Sequence, residues 1–409
     1  MRSHTVLRGL SRHLQQSPGL IKRQQSATTL QRYQMSAAAS GKGTLPHQMR
    51  TAAEPRQNRL YNVRLSHIEQ VNPCVRLLQL TIPPEVQSPE ENNQESDQES
   101  HPEPLTFLPG QWLDVHIPSI SNAGGFSITS TPADAQVLPS LAETASVEAI
   151  ANDEAGLPPL NSGGRSPYVE LAVRHAPSNP ASAWLWKPTE EILGSELSIR
   201  VGGSFVWPPS GVRLTDIQNV VFIAGGVGIN PLISMLSHLN NDDEITTTLR
   251  HPSFNIHFLY STKLPQPETT TTTATATAPA PAPAPITQSP ESALDQILFL
   301  SRLRHIVNIQ SQLRRLRVTL HLFITNLDEK KASPLLGHPF DDDDDLRIHR
   351  RRINADDLRA AAASGDDGTI EPGKTVAYVC GPPGMTDEIV GRLEGLLGGR
   401  ERVFYEKWW

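Results

Sequence analysis

The segment that most constrains this chain is Val220–Ala224, a continuous apolar run, together with the turn Ala224-Gly225-Gly226-Val227-Gly228-Ile229-Asn230-Pro231. An unbroken apolar run suits a strand buried on both faces, as in a parallel sheet covered by helices. After the turn, Ile229, Leu232, Ile233, Leu236 and Leu239 fall on one helical stripe, so the turn joins a buried strand to an amphipathic helix. Glycine permits the tight turn and lets a ligand approach the backbone. Asn230 is expected to cap the helix, and Pro231 suits its first turn. Free N–H groups and the helix dipole then favour a phosphate at this end. The turn is not a Walker A loop, because no Gly-Lys-Ser/Thr follows. It departs from the full dinucleotide fingerprint as well. Pro231 stands at the third glycine, and Tyr260 to Lys263 offer no acid at the end of the next strand. On this motif alone, a tight strand–helix turn without a ligand remains open.

A second loop narrows the choice. Tyr378-Val379-Cys380-Gly381-Pro382-Pro383-Gly384-Met385 again follows a strand pattern and precedes a helix. In a parallel sheet both loops lie at the carboxyl ends of strands, where ligands bind. Cys380 and Gly381 are therefore expected to face the ligand.

The rest of the second half alternates in the same rhythm. Strands are expected at Asn255–Tyr260, Val318–Thr325, Thr375–Cys380 and Val403–Tyr405. Helices are expected at Asn230–Leu239, Glu291–Leu316, Asn354–Ala362 and Pro383–Leu397. The first half carries short alternating segments at Leu60–Val71, Val75–Ile82, Trp112–Ile117, Gly125–Ser130, Tyr168–His175 and Leu197–Val201, with one short helix at Ser182–Trp186. Six short strands separated by turns suggest a small antiparallel barrel. The fold class is thus all-β plus α/β: an N-terminal antiparallel six-stranded barrel over residues 57–212, then an open parallel-sheet nucleotide-binding domain over residues 217–409. Four stretches, near 85–104, 133–167, 264–290 and 329–346, are too polar or too rich in Pro, Ala and Thr to feed a core, and are expected to be disordered insertions. The aspartate run 341–345 lacks the spacing of a calcium loop, and no metal site is expected.

Bulk properties exclude several classes. The net charge is −7 and basic residues do not cluster on a folded segment, which argues against nucleic-acid binding. No apolar run reaches the roughly 18 residues of a membrane span. Two cysteines, Cys74 and Cys380, are too few for a four-cysteine iron–sulfur cluster or a disulfide framework. Residues 1–56 are rich in Arg, Ser and Gln, and the first acid is Glu54. Such a start reads as a mitochondrial transit peptide, hence a matrix location, with a disordered basic tail as the other reading.

The two glycine loops, in this order and spacing, resemble the ferredoxin–NADP reductase superfamily. Phe107-Leu108-Pro109-Gly110-Gln111-Trp112 resembles its Pro-Gly-Gln strand, and Gly125-Phe126-Ser127-Ile128-Thr129-Ser130 its flavin strand. Gly194–Gly203 resembles the strand that closes the barrel, and Phe404-Tyr405-Glu406-Lys407-Trp408 the aromatic C-terminus. The resemblance implies a flavin-type barrel and a flavin-dependent NAD(P)H oxidoreductase that passes electrons to a separate acceptor. It implies NAD or NADP at Gly225, Gly226, Val227, Gly228, Ile229, Asn230, Pro231, Cys380, Gly381 and Pro382, and FAD at Phe126, Ser127 and Ser182. Cys380, Glu406 and Trp408 are the implied catalytic set.

One departure stands out. The family's flavin strand reads Arg-x-Tyr-Ser/Thr, and here Gly124, Gly125, Phe126 and Ser127 fill that frame. The arginine that would meet a pyrophosphate is missing, and an arginine–phosphate contact is bidentate and charge-assisted. The alternative reading follows: a non-catalytic nucleotide-binding module that has lost flavin and acts as a sensor or assembly partner.

Overall fold

The computed structural model describes residues 45–83, 104–136, 166–241, 255–265, 290–327, 346–363 and 368–408. The four expected insertions fall largely outside these residues, as do Trp409 and residues 1–44. The described chain begins with one helical turn, α1 (His47–Arg50), whose single buried side chain is His47. Residues 46–56 were expected to belong to the leader, yet they pack on the barrel. The Gln57 amide donates to the Val201 carbonyl at 2.9 Å, and the Gly203 amide to the Pro55 carbonyl at 3.0 Å.

The barrel is built from β1 (Tyr61–Asn72), β2 (Val75–Thr81), β3 (Trp112–His116), β4 (Gly124–Ser127), β5 (Tyr168–Arg174) and β6 (Glu196–Gly202). Their order is β4-β3-β6-β1-β2-β5, with every pair antiparallel. Just past β4 the chain bridges back to β5. Ile128 pairs with Leu171, and the Thr129 amide donates to the Glu170 carbonyl at 2.9 Å, closing the sheet. Alternation puts Leu65, Leu78, Leu113, Ile128, Leu171 and Ile199 inside, all with no exposed surface. Each such side chain contributes about 1.5–3 kcal/mol by burial. Two short helices, α2 (Pro180–Leu185) and α3 (Thr189–Ile192), lie between β5 and β6.

The second half carries β7 (Asn219–Gly225), α4 (Ile229–Asn241), β8 (Asn255–Thr262), α5 (Pro290–Asp295), α6 (Leu300–Leu313), β9 (Arg317–Ile324), β10 (Leu346–His349), α7 (Ala355–Ala362), β11 (Thr375–Gly381), α8 (Pro383–Leu396) and β12 (Val403–Lys407). The sheet order is β10-β9-β8-β7-β11-β12, all parallel. From β7 the sheet grows one way to β10, and β11 and β12 lie on β7's other side. The crevice between the ends of β7 and β11 is therefore the switch point at which open α/β sheets bind ligands. Along β7, Val220, Phe222 and Ala224 face α4 and α6, whereas Val221 and Ile223 face α7 and α8. This explains the unbroken apolar run.

Two local expectations change. The expected long helix Glu291–Leu316 is two helices, α5 and α6, parted at Phe299, which adopts φ 60°. The break turns Ile297, Leu298, Phe299 and Leu300 together into the core, which a single helix stripe cannot do. Strand β10 was not expected; it is short, lies at the sheet edge, and follows the aspartate run.

The barrel is tied to the parallel domain through α4. Asn230 Nδ2 donates to the Ala172 carbonyl at 2.9 Å, and Ser234 Oγ to the Ser130 carbonyl at 2.7 Å. Tyr378 Oη donates to the Val206 carbonyl at 2.9 Å. Phe205, Trp207 and Ala172 of the barrel side share one apolar cluster with β7, α4 and β11, so the groove between the halves has a packed base.

Candidate functional site

At the end of β7, Gly226 adopts φ +55° with open space where a side chain would be, and Gly226–Gly228 form a 3-10 turn into α4. That conformation costs a residue with a β-carbon about 1–2 kcal/mol. Gly228 serves a different purpose. A β-carbon there would fall on the Cys380 carbonyl, so this glycine lets the two loops touch. Gly225 and Val227 flank this turn. Asn230 does not cap α4 as expected, because the helix begins at Ile229 and Asn230 lies in its first turn beside Pro231. Its Nδ2 is spent on the barrel, and its buried Oδ1 has no hydrogen-bond partner among the described residues.

The second loop is held from both sides. The Gly381 carbonyl accepts from Thr386 Oγ1 at 3.1 Å and from the Trp408 amide at 3.2 Å. Pro382 follows, and Pro383 opens α8. Cys380 is placed in the wall, not the groove: its side chain is fully buried in the apolar cluster with Tyr378 and Phe222. Burial pushes its thiol well above the usual range, and the nearby Glu406 pushes the same way. A thiol in that state is not a nucleophile.

Cys380 pairs in register with Glu406 of β12. Phe404 and Trp408 pack on the same apolar cluster as Cys380. Lys407 turns to the other side and pairs with Asp387 at 2.6 Å. Trp408 Nε1 donates to Glu406 Oε2 at 2.9 Å. Burial pushes the Glu406 carboxyl up to about 8, against the hydrogen bond from Trp408 and with help from Glu54. Although the residue keeps some exposed surface, protein surrounds the carboxyl closely enough for burial to dominate.

On the barrel side, the expected flavin residues are engaged by the protein. Phe126 packs against the barrel's apolar cluster, and Ser127 is buried. Ser182 Oγ donates to the Arg174 carbonyl at 2.8 Å and accepts from the Ala176 amide at 3.0 Å. The first amides of α2 donate to Asn179 Oδ1 at 3.1 and 3.2 Å, which spends the donors an anion would need. Gly124 offers no charge.

Sequence reasoning missed a further group of residues. His47 is 6% exposed, lies edge-on to Trp112 at 4.6 Å between centroids, and lies nearly parallel to Trp408 at 6.1 Å. Its Nε2 is 3.5 Å from Asp114 Oδ1. Glu54 accepts from Ser204 Oγ at 2.6 Å. Their sequence signal was slight: Glu54 is the first acid after a basic leader, and His47 is one of three histidines in it.

The paired loops at the switch point fit a nicotinamide nucleotide: an open left-handed glycine, a 13-residue helix starting behind it, and a second backbone turn in contact with the first. On the barrel side the fit to flavin is poor: the Ser182 hydroxyl and the first amides of α2 are taken by the chain itself, and Gly124 stands where a phosphate-binding arginine would be.

No family model matches the chain. The oxidoreductase NAD-binding domain-containing protein 1 of Xenopus laevis is 30% identical over 311 residues, covering 75% of this chain and 71% of that protein. The protein of the same name from Danio rerio is 25% identical over 363 residues, covering 89% and 97%. Among solved structures, a ferredoxin NADP+ reductase from Neisseria gonorrhoeae with bound FAD and NADP superposes with a TM-score of 0.48 at 12% identity, covering 86% of this chain and 99% of that one. With two sheets in the expected order and a relative matched at this identity and coverage, the chain belongs to the oxidoreductase NAD-binding domain-containing protein 1 family.

Proposed function

We propose that this protein binds NADH or NADPH across the two glycine loops and serves as the nucleotide-binding part of an NAD(P)H oxidoreductase with a separate electron acceptor. The observation that carries this reading is the contact between Gly228 and the Cys380 carbonyl, which joins both loops into one continuous backbone surface at the switch point. Gly226 to Ile229 would hold the pyrophosphate through backbone amides and the α4 dipole. Cys380, Gly381 and Pro382 would bound the nicotinamide through backbone, with the thiol facing away. When bound, the nucleotide supplies a hydride at its nicotinamide ring. Trp408 would cover that end, and Glu406, its carboxyl pushed up to about 8 by burial, lies 2.9 Å from the indole Nε1. Ser261 stands beside Gly225 in register, and Lys263 follows β8; neither is an acid that would repel a 2′-phosphate, so both nucleotides are admitted.

The filled groove on the barrel side favours a second reading, a nucleotide-binding module without turnover. Titration of the purified protein with NADH and NADPH, followed by nucleotide fluorescence and then by oxidation with an artificial acceptor, separates the two. Binding with turnover supports the oxidoreductase, and binding without turnover the sensor or assembly module. Absence of binding defeats both. The acid-free, Arg-rich start supports delivery to the mitochondrial matrix, and a cellular mature protein that still begins at Met1 would count against it.

A further inference from the structure

A ring that is to take a hydride from a nicotinamide beside Gly381 would have Trp408 as its neighbour, because the Trp408 amide is bonded to the Gly381 carbonyl. It must also lie on the barrel side, because α8 fills the other. The barrel presents strand β4 there. Gly125 in β4 pairs with Asp114 in β3, and Asp114 and Trp112 both lie against His47.

That volume is occupied by the chain. The imidazole of His47 lies face-on to Gly125, so that a β-carbon at 125 would fall against its Cε1, Nδ1 and Cγ atoms. The ring plane is 9° from that of the Trp408 indole, the orientation of a stacked heteroaromatic ring. The segment that carries it is anchored at several points. Arg56 Nε donates to Asp114 Oδ2 at 2.8 Å, Arg56 bridges to Gly202, and Glu54 accepts from the Ser204 amide at 3.1 Å. Residues 46–56 thus form a strap across the outer face of β3, β4 and β6, with His47 as its inserted side chain.

We propose that His47 is a built-in occupant of the flavin ring slot, and that the seated strap excludes flavin from this protein. The two glycines act on opposite faces of β4: Gly124 gives up the phosphate contact on the side of Ala181 and Phe126, and Gly125 makes room for an imidazole on the other. The location of the slot rests on the proposed nucleotide site, but exclusion is read without it.

The test uses the full-length protein, its His47→Ala variant, and two probes, FAD and riboflavin. Visible absorption after desalting and quenching of flavin fluorescence are the readouts. Because His47 is the buried side chain of α1, its removal unpins the turn. Wild-type protein is expected to retain neither probe, and His47→Ala to bind both at least ten-fold more tightly, with riboflavin comparable to FAD because the pyrophosphate has no arginine. Wild-type protein that binds flavin as tightly as the variant overturns the inference. So does folded His47→Ala that binds none. If the variant does not fold, hydrogen exchange on wild-type protein decides: residues 46–51 are expected to be protected with or without excess riboflavin, and loss of that protection on adding riboflavin overturns the inference. NADH titration on the same samples keeps the two claims apart, since lost NADH binding defeats the proposed function and leaves the flavin readout standing.

Discussion

Asp114, with no exposed surface, accepts from Arg56 Nε at 2.8 Å and from Arg200 Nη2 at 2.9 Å on the same carboxylate oxygen. Burial alone would push this carboxyl up. The hydrogen bonds from Arg56 and Arg200 outweigh it and hold Asp114 below the usual carboxylate range. The strap and two barrel strands therefore meet on one buried charge. Substituting Asp114→Asn leaves two guanidinium groups facing each other without an anion. Breaking a buried pair from one side costs about 3–5 kcal/mol, and the partial exposure of Arg200 places this site near the lower end. Urea denaturation should show that loss, and residues 46–56 should become sensitive to proteases under native conditions.

The strap should also respond to acid. Burial pushes the His47 imidazole down to about 4, against the pull of Asp114 and with Arg50 and Arg56 adding to the depression. The other charges nearby are Arg200, through Asp114, and Glu406, through Trp408. A base depressed in the fold contributes stability that is full above its unfolded value of 6.5 and is lost as pH falls towards 4. Protease cleavage within 46–56 should accelerate between pH 6.5 and 4 in the wild type. In His47→Phe, which keeps a ring without a titrating group, the rate should stay flat over that window.

The two halves of the fold were legible because each rests on local pattern. The run Val220–Ala224 and most alternating segments of the barrel gave elements within a residue or two of those observed, whereas Gly125–Ser130 ran three residues past the end of β4 at Ser127. The glycine loops were found, but not the reason for each glycine. Whether Gly228 faces a ligand or the Cys380 carbonyl depends on a strand some 150 residues away, and no local spacing encodes that. The strap was hidden for the same reason. His47 and Arg56 lie in a basic, polar stretch without periodicity, and their partners Asp114, Gly125 and Trp408 come from β3, β4 and the C-terminus.

Gly226 and Gly228 should fail in different ways when given a methyl group. Gly226→Ala meets no atom but must hold φ +55°, so it should lose about 1 kcal/mol of stability and keep the loops in contact. Gly228→Ala drives its methyl into the Cys380 carbonyl and must part the loops, at a cost of about 1–3 kcal/mol. NADH affinity should fall at least ten-fold in Gly228→Ala and by less in Gly226→Ala. Equal losses would mean that the loop contact does not organise the nucleotide site.

Glu406 gives the opposite pH signature to His47. Its carboxyl is pushed up to about 8 by burial, partly offset by the Trp408 indole and reinforced by Glu54, from an ordinary value of 4.5. The folded protein therefore binds a proton there that the unfolded chain releases. Its contribution to stability is full below 4.5 and is lost as pH rises through 8. Glu406→Gln keeps an acceptor for Trp408 Nε1 and removes the titration. Between pH 5 and 8.5 the melting temperature of the wild type should fall relative to that of Glu406→Gln, and the two curves should converge at the acid end. Because the indole is bonded to the same carboxyl, the tryptophan fluorescence of the wild type should shift with a midpoint near 8 and that of Glu406→Gln should not. A wild-type shift centred near 4.5 would place the carboxyl in solvent and remove it from the groove beside Gly381.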